Sequence, residues 1–461
     1  MKSPNKKSNR AASSLILLVS GMAISQTSVA ANYYVATWGN DSNQGTFSAP
    51  FKTISKAQNF VKPGDTVYVR GGTYAQTVSW SKSGTAAAPI RISAYAEELP
   101  IIDGQKKLAA NWGTMVNLAG NYLHMDGFEV KNGLGQGVVL TGHHNKLSNS
   151  DIHDHAERGV LAAGDYSVVE YNRVWGNAWY NCRLSSCPTT RYPNGGWGTG
   201  LSAARDKVNG ITENATLRGN TVFNNWGEGL SSFEADGTVL EGNTVYDNWA
   251  LNVYVSESTN TLVTGNLIYV TPNNAVQKNM MNIGLCDETS VRASANVSIV
   301  NNLIMGGSAH MSWWTDKRNP GAKMSNVMIA NNTFVQATLA SSTSNAITFR
   351  DAAHENVQFL NNIVKQNGTG NPIAVGKGQF TFSSNLWSEK PVTKAAAYDD
   401  VNADPQLSQT GSTLAGQLKG EYFKLKATSP AISKASVISE ILDDYFGDAR
   451  DSTPDIGGDE L

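Results

Sequence analysis

The stretch TLRGNTVFNNWGEGLSSFEADGTVLEGNTVYDNWALNVYVSESTNTLVTGNLIY, residues 216–269, repeats itself. Three copies of an apolar-x-x-Asn-x-apolar signature place Asn220, Asn243 and Asn266 at intervals of 23 residues. The signature extends outward in both directions. VVEYNRV (Asn172) precedes it, and SIVNNLI (Asn302), MIANNTF (Asn332), QFLNNIV (Asn362) and TFSSNLW (Asn385) follow. Two weaker copies put Phe128 (MDGFEV) and Ser150 (LSNSDI) at the Asn position. Successive spacings are 22, 22, 48, 23, 23, 36, 30, 30 and 23, a basic period with insertions, which is the mark of a solenoid. Each copy carries a second apolar alternation about ten residues on, as in GLSA (200–203), GLSS (229–232), NVYV (252–255), NIGL (282–285), HMSW (310–313) and AITF (346–349). Alternation with period two means strands. Short strands in a 22-residue turn cannot bury a face alone, but stacked turns make a continuous core. The recurring Asn suits the turn, where it tolerates a left-handed backbone and bonds the Asn of the next coil in a ladder. The expected fold is all-β, a right-handed parallel β-helix. Leucine-rich spacing and propeller-blade signals are absent.

Composition agrees. Of 461 residues, 43 are Gly and 45 Asn, and only 16% are charged, which favours turns over long helices. The formal net charge of −2 argues against nucleic acid, which needs a basic stripe. Residues 1–31 read as an address: Lys2, Lys6, Lys7 and Arg10, then the apolar run SLILLVSGMAI, then SVAA. That run is too short to span a bilayer. The sequence thus predicts a cleaved signal peptide, a secreted or periplasmic monomer and no membrane span. Cys182 and Cys187 sit close enough to close a small loop, or stay as two free thiols, and Cys286 is left over.

The front, YYVATWGNDSNQGTFSAPFKTISKAQNFVKPGDTVYVRGGTY (33–74), resembles the N-terminal cap of secreted β-helix proteins of the pectate-lyase-like superfamily, with FKTISKAQNFV as a short amphipathic helix plugging the open core. The tail, NADPQLSQ…ATSPAIS…DSTPDIGGDE (402–460), resembles their closing segment. With the coils, the resemblance covers nearly all of the mature chain and is nearest to polysaccharide lyases of families 9 and 6. It implies a cap and first coils over 32–105, a helical core with a groove over 106–390, and a closing segment over 391–461. The superfamily includes lyases, uronan epimerases, glycosidases and non-catalytic surface proteins. The polygalacturonase sets NTD, GHG and RIK and the family 1 lyase motifs WIDH and RxPxxR are absent, so no catalytic residue carries over by motif.

The residues themselves offer candidates. Equivalent positions on successive coils stack about 4.8 Å apart, with alternate side chains outward. If Leu201, Leu230, Val253, Ile283, Met311 and Ile347 point inward, the alternation turns Asn252, Asn282 and His310 outward, then Tyr254, then Trp314 and Arg350. The strand-end column reads Arg205, Glu234, Glu257, Asp287, and three acids on consecutive coils suit Ca²⁺. Eliminative cleavage of a uronan needs the carboxylate neutralised, a base for the C5 proton and an acid for the leaving oxygen. His310 titrates near neutrality and is a candidate base, and Tyr254 is a candidate acid. Lys207 is an alternative base, because the β-helix lyases that this fold resembles commonly use lysine. Asn252, Asn282, Arg350, Trp314 and Arg205 are candidates to bind the sugar chain. Long insertions on one face build solenoid sites, and the one at 176–200 offers Trp179, Tyr180, Arg183, Tyr192 and Trp197 as cleft walls. The expected partner is an acidic polysaccharide, pectate- or alginate-like, cleaved by β-elimination. The rival readings are a C5-epimerase, a glycoside hydrolase using Glu228 with Glu234 or Asp236, and a non-catalytic glycan-binding protein.

Overall fold

The computed structural model describes residues 1, 30–182, 198–205, 210–272, 281–288, 293–316, 318–337, 345–366 and 371–461. The expected signal peptide lies almost wholly outside them. Each coil gives one short strand to each of three sheets, called I, II and III in chain order. In one coil, Val168–Glu170 joins sheet I, Arg173–Trp175 sheet II and Leu201–Ala204 sheet III. Among the described residues the sheets hold 13, 13 and 11 strands, and neighbours within them run parallel. The expected inward set forms one file on sheet III, Leu201↔Leu230↔Val253↔Ile283↔Met311↔Ile347, and all six are fully buried.

The Asn signature marks the corner between sheets I and II. The Nδ2 of Asn172 donates to Oδ1 of Asn220, and the pattern continues through Asn243, Asn266, Asn302, Asn332, Asn362 and Asn385. The same oxygens accept backbone N–H groups of the preceding coil. A buried amide in this ladder satisfies corner groups that no strand can reach, which is why Asn recurs.

The front of the coil stack is plugged by the segment between its first strands. Ile54–Ala57 is a single helical turn, and Phe51, Ile54, Ala57 and Val61 plug the first coils. The C-terminal segment lies back along sheet II, where Leu407, Phe423, Leu425, Ala431 and Ile456 bury against Tyr269, Leu303, Val335, Ile363 and Leu386. Among the described residues no helix is long and apolar enough to cross a membrane.

Candidate active site

Sheet III carries an elongated groove on its outer face. One compartment, about 620 Å³, is lined by Leu251, Tyr254, Met281, Ser312, Trp314 and Arg350, with Glu228 and Glu288. A second, about 200 Å³, is lined by Arg158, Thr199, Ser202, Ser231 and Phe233, again with Glu228, Tyr254 and Glu288. Tyr254 and the two glutamates therefore stand at the waist between the compartments, and an arginine stands toward each far end.

The strand register explains this floor. Ser202, Ser231, Tyr254, Gly284 and Ser312 form one outward file. A Cβ on Gly284 would lie 2.6 Å from the Trp314 ring, so the missing side chain lets the indole lie across the floor. Its Nε1–H donates to Glu288 Oε1 at 2.9 Å. Phe233, Tyr254 and Trp314 then follow one another with ring centroids 6.4 and 6.2 Å apart. The Tyr254 hydroxyl lies 3.2 Å from Cys286 Sγ, and burial holds its pKa well above the ordinary tyrosine value. It stays protonated at neutral pH.

Of the residues singled out from the sequence, Tyr254, Trp314 and Arg350 meet in this groove. Lys207 and Trp197 lie outside the described residues, as do Arg183 and Tyr192. Trp179 and Tyr180 pack ring to ring, with Trp179 Nε1 bonded to Asp154 O, and neither lines the groove. Arg205 is drawn into an ion pair with Glu234 at 3.1 Å. Cys182 is disulfide-bonded, with its partner outside the described residues, and Cys286 is free and buried.

Three expectations are corrected. Asn252, Asn282 and His310 do not face outward; all three are fully buried. Asn252 and Asn282 extend a second internal ladder at the corner between sheets II and III, running from Asn177 through Asn225 and Asn248. Pairing passes from Leu251↔Met281 straight to Val253↔Ile283, so the alternation breaks at the corner and two consecutive residues turn inward. His310 packs on Phe334, and burial lowers its pKa to about 3, so it is neither exposed to substrate nor poised as a base.

The expected Ca²⁺ column does not assemble either. Glu234 pairs with Arg205, Glu257 accepts from Ser256 Oγ, and Asp287 accepts from both the N–H and the hydroxyl of Ser294. Glu234 and Glu257 sit at φ 49° and 46°, where the chain has already turned off the strand. Among the described residues no group of three His, Cys, Asp or Glu side chains could hold a metal ion. Conversely, the groove also takes in Arg158 and Glu288, which strand parity does not single out. Arg158 precedes Gly159 as Glu228 precedes Gly229, a parallel visible once the corner is placed correctly.

Three stacked parallel sheets with a groove along one of them define a right-handed parallel β-helix protein. The description "Pel9A-like, right handed beta helix region" matches residues 33–268, just over half of the chain, and the chain belongs to that family. A general right-handed β-helix description matches residues 212–386. A pectate lyase L from Dickeya dadantii is 32% identical over 152 residues, 30% of this chain and 35% of the relative. A pectate lyase PEL9 from Emericella nidulans is 44% identical over 80 residues, 17% of this chain and 20% of the relative. The chain thus matches between a fifth and about a third of the length of these curated relatives. The crystal structure of pectate lyase Pel9A superimposes with a TM-score of 0.54 at 21% identity, covering 94% of this chain and 97% of that one, a likeness of fold.

Proposed function

We propose that the protein is a secreted polysaccharide lyase that cleaves a uronic-acid-containing polysaccharide, pectate- or alginate-like, by β-elimination. The observation that carries the reading is the groove of a Pel9A-like β-helix with a protonated tyrosine at its waist and an arginine toward each end. Arg350 and Arg158 are suited to uronate carboxylates, since a guanidinium binds them through paired charge-assisted hydrogen bonds. Tyr254 donates a proton to the leaving glycosidic oxygen. The proposed base is Lys207, three residues beyond the strand Leu201–Ala204, and a lysine in that role needs a depressed pKa. Phe233 and Trp314 offer apolar faces to the sugar rings. The pectate lyases among its relatives support the same substrate class.

A panel of uronans, assayed with and without chelator, tests the reading. Ultraviolet-absorbing unsaturated products are expected from at least one, and their absence from all would overturn it. The Tyr254→Phe enzyme is expected to be slower by about 10²–10⁴-fold.

One observation favours a second reading. Glu228 and Glu288 both line the waist, and paired carboxylates are the machinery of glycoside hydrolysis. A hydrolase would release new reducing ends without unsaturation, and Glu228→Gln would abolish that release.

A further inference from the structure

We propose that Cys286 and Ser256 are positioning residues that hold the phenolic hydrogen of Tyr254 turned away from the groove, toward buried Glu257, until the leaving glycosidic oxygen draws it back. The inference rests on the lyase reading for the proton that Tyr254 transfers. Phe233, Ser256, Cys286 and Trp314 occupy one outward file on successive coils of sheet III. The two small residues between two large rings leave a niche, and the Tyr254 ring stacks with both Phe233 and Trp314. Ser256 and Cys286 are fully buried under this aromatic cover, although they belong to the outer face.

Three contacts join these groups in a line. The Tyr254 hydroxyl lies 3.2 Å from Cys286 Sγ, which lies 3.3 Å from Ser256 Oγ, and Ser256 Oγ donates to Glu257 Oε2 at 2.8 Å. Glu257 is fully buried as well. Counting hydrogens fixes the direction of the line. The phenol, the thiol and the hydroxyl carry one hydrogen each. Burial holds both the phenol and the thiol well above their ordinary pKa values, so neither loses its hydrogen at neutral pH. Ser256 gives its hydrogen to Glu257. The Ser256–Cys286 contact is then a hydrogen bond only if the thiol donates, and the Tyr254–Cys286 contact only if the phenol donates. All three hydrogens point toward Glu257, and a group in the groove meets the phenol oxygen through its lone pairs.

This arrangement suits an acid that acts only as the bond breaks. Sulfur is a weak acceptor, so it yields the phenolic hydrogen to an oxygen that gains charge. In the elimination the base takes the C5 proton, the C5–H electron pair becomes the new double bond, and the C4–O pair leaves with the glycosidic oxygen. That oxygen takes the hydrogen of Tyr254, and the O–H electron pair stays on the phenolate. The Cys286 S–H then turns from Ser256 to the phenolate, in a hydrogen bond strengthened by charge. A proton from water restores the phenol. Cys286 and Ser256 act through Tyr254 and, being buried, do not touch the sugar.

The test combines infrared spectroscopy of the S–H stretching band with steady-state kinetics on the preferred uronan. Of the three cysteines Cys182 is in a disulfide and Cys286 is free, so the band reports on Cys286. The native band is expected at the position of a donating thiol. It should move toward the free-thiol position in Ser256→Ala, which removes the acceptor, and stay nearly in place in Tyr254→Phe, which removes only a donor. A free-thiol position in the native protein, or a shift to it in Tyr254→Phe, would overturn the proposal, and these two spectra decide even if Ser256→Ala does not fold. Cys286→Ala, assayed below its melting temperature, is expected to lower kcat by about tenfold or more with KM unchanged, since the phenolate loses a charge-assisted hydrogen bond. An unchanged kcat, or a loss confined to KM, would overturn the positioning role and leave the lyase reading standing. The expected bands with no unsaturated product from any uronan would uphold the direction of the line and overturn the lyase reading.

Discussion

Tyr254 and His310 show how burial assigns roles that residue type alone leaves open. Both are chemically able to move protons, and both lie on sheet III. Tyr254 lines the groove and keeps its proton, whereas His310 is enclosed two coils away with its pKa lowered to about 3. A His310→Leu enzyme should therefore keep its activity, with any loss showing in the melting temperature instead. Asp287 yields a pH prediction. Burial raises its pKa to about 6, above the ordinary aspartate value. The folded state binds this proton more readily than the unfolded chain, so the associated stability is full below about pH 4 and is lost as pH rises through about 6. Asp287→Asn should flatten the melting temperature across that window relative to the native protein. The sequence placed Tyr254, Trp314 and Arg350 on the correct face because their parity within the strand is regular. Asn252, Asn282 and His310 turn inward because strand parity breaks at the corner beside them, and no local signal marks where a strand bends.

At the scale of the element, the coil is defined by its two amide ladders. The Asn172–Asn385 ladder is legible from spacing, since the same residue type recurs at the same distance from the same apolar pair. The second is legible only in part. Asn177, Asn225 and Asn248 each follow a first-ladder Asn by five residues, but the insertion before Met281 hides the continuation to Asn282. Asn220 accepts from the backbone and amide of Asn172 and donates to Val169 O and Asn243 Oδ1. Asn220→Ala leaves buried donors and an acceptor unpaired, and should cost at least about 2 kcal/mol in denaturant unfolding. An Asp residue there could accept but not donate, and should recover only part of the loss.

Across the whole molecule, a solenoid has exposed ends and flanks, and this chain covers its front and the flank of sheet II. The helical turn Ile54–Ala57 closes the front, and the closing segment lies along sheet II. Arg450 pins that segment: its guanidinium pairs with Glu460 and bonds Gly457 O and Asn301 Oδ1. Arg450→Met leaves Glu460 without its cation and should destabilise the protein by roughly 3–5 kcal/mol, with proteolytic cuts appearing first after residue 400. Sheet III is thereby left as the flank that carries the groove. The cap and repeat announced that architecture in the sequence, whereas the groove itself depends on side chains meeting across several coils, such as Trp314 lying over Gly284. The central claim is that this groove performs β-elimination with Tyr254 as the proton donor. Its most direct test is the rate of unsaturated-product formation from a uronan by the native enzyme and by Tyr254→Phe at equal fold stability. The account predicts a measurable native rate that falls by at least about a hundredfold in the variant, whereas equal rates, or reducing ends released without unsaturation, would contradict it.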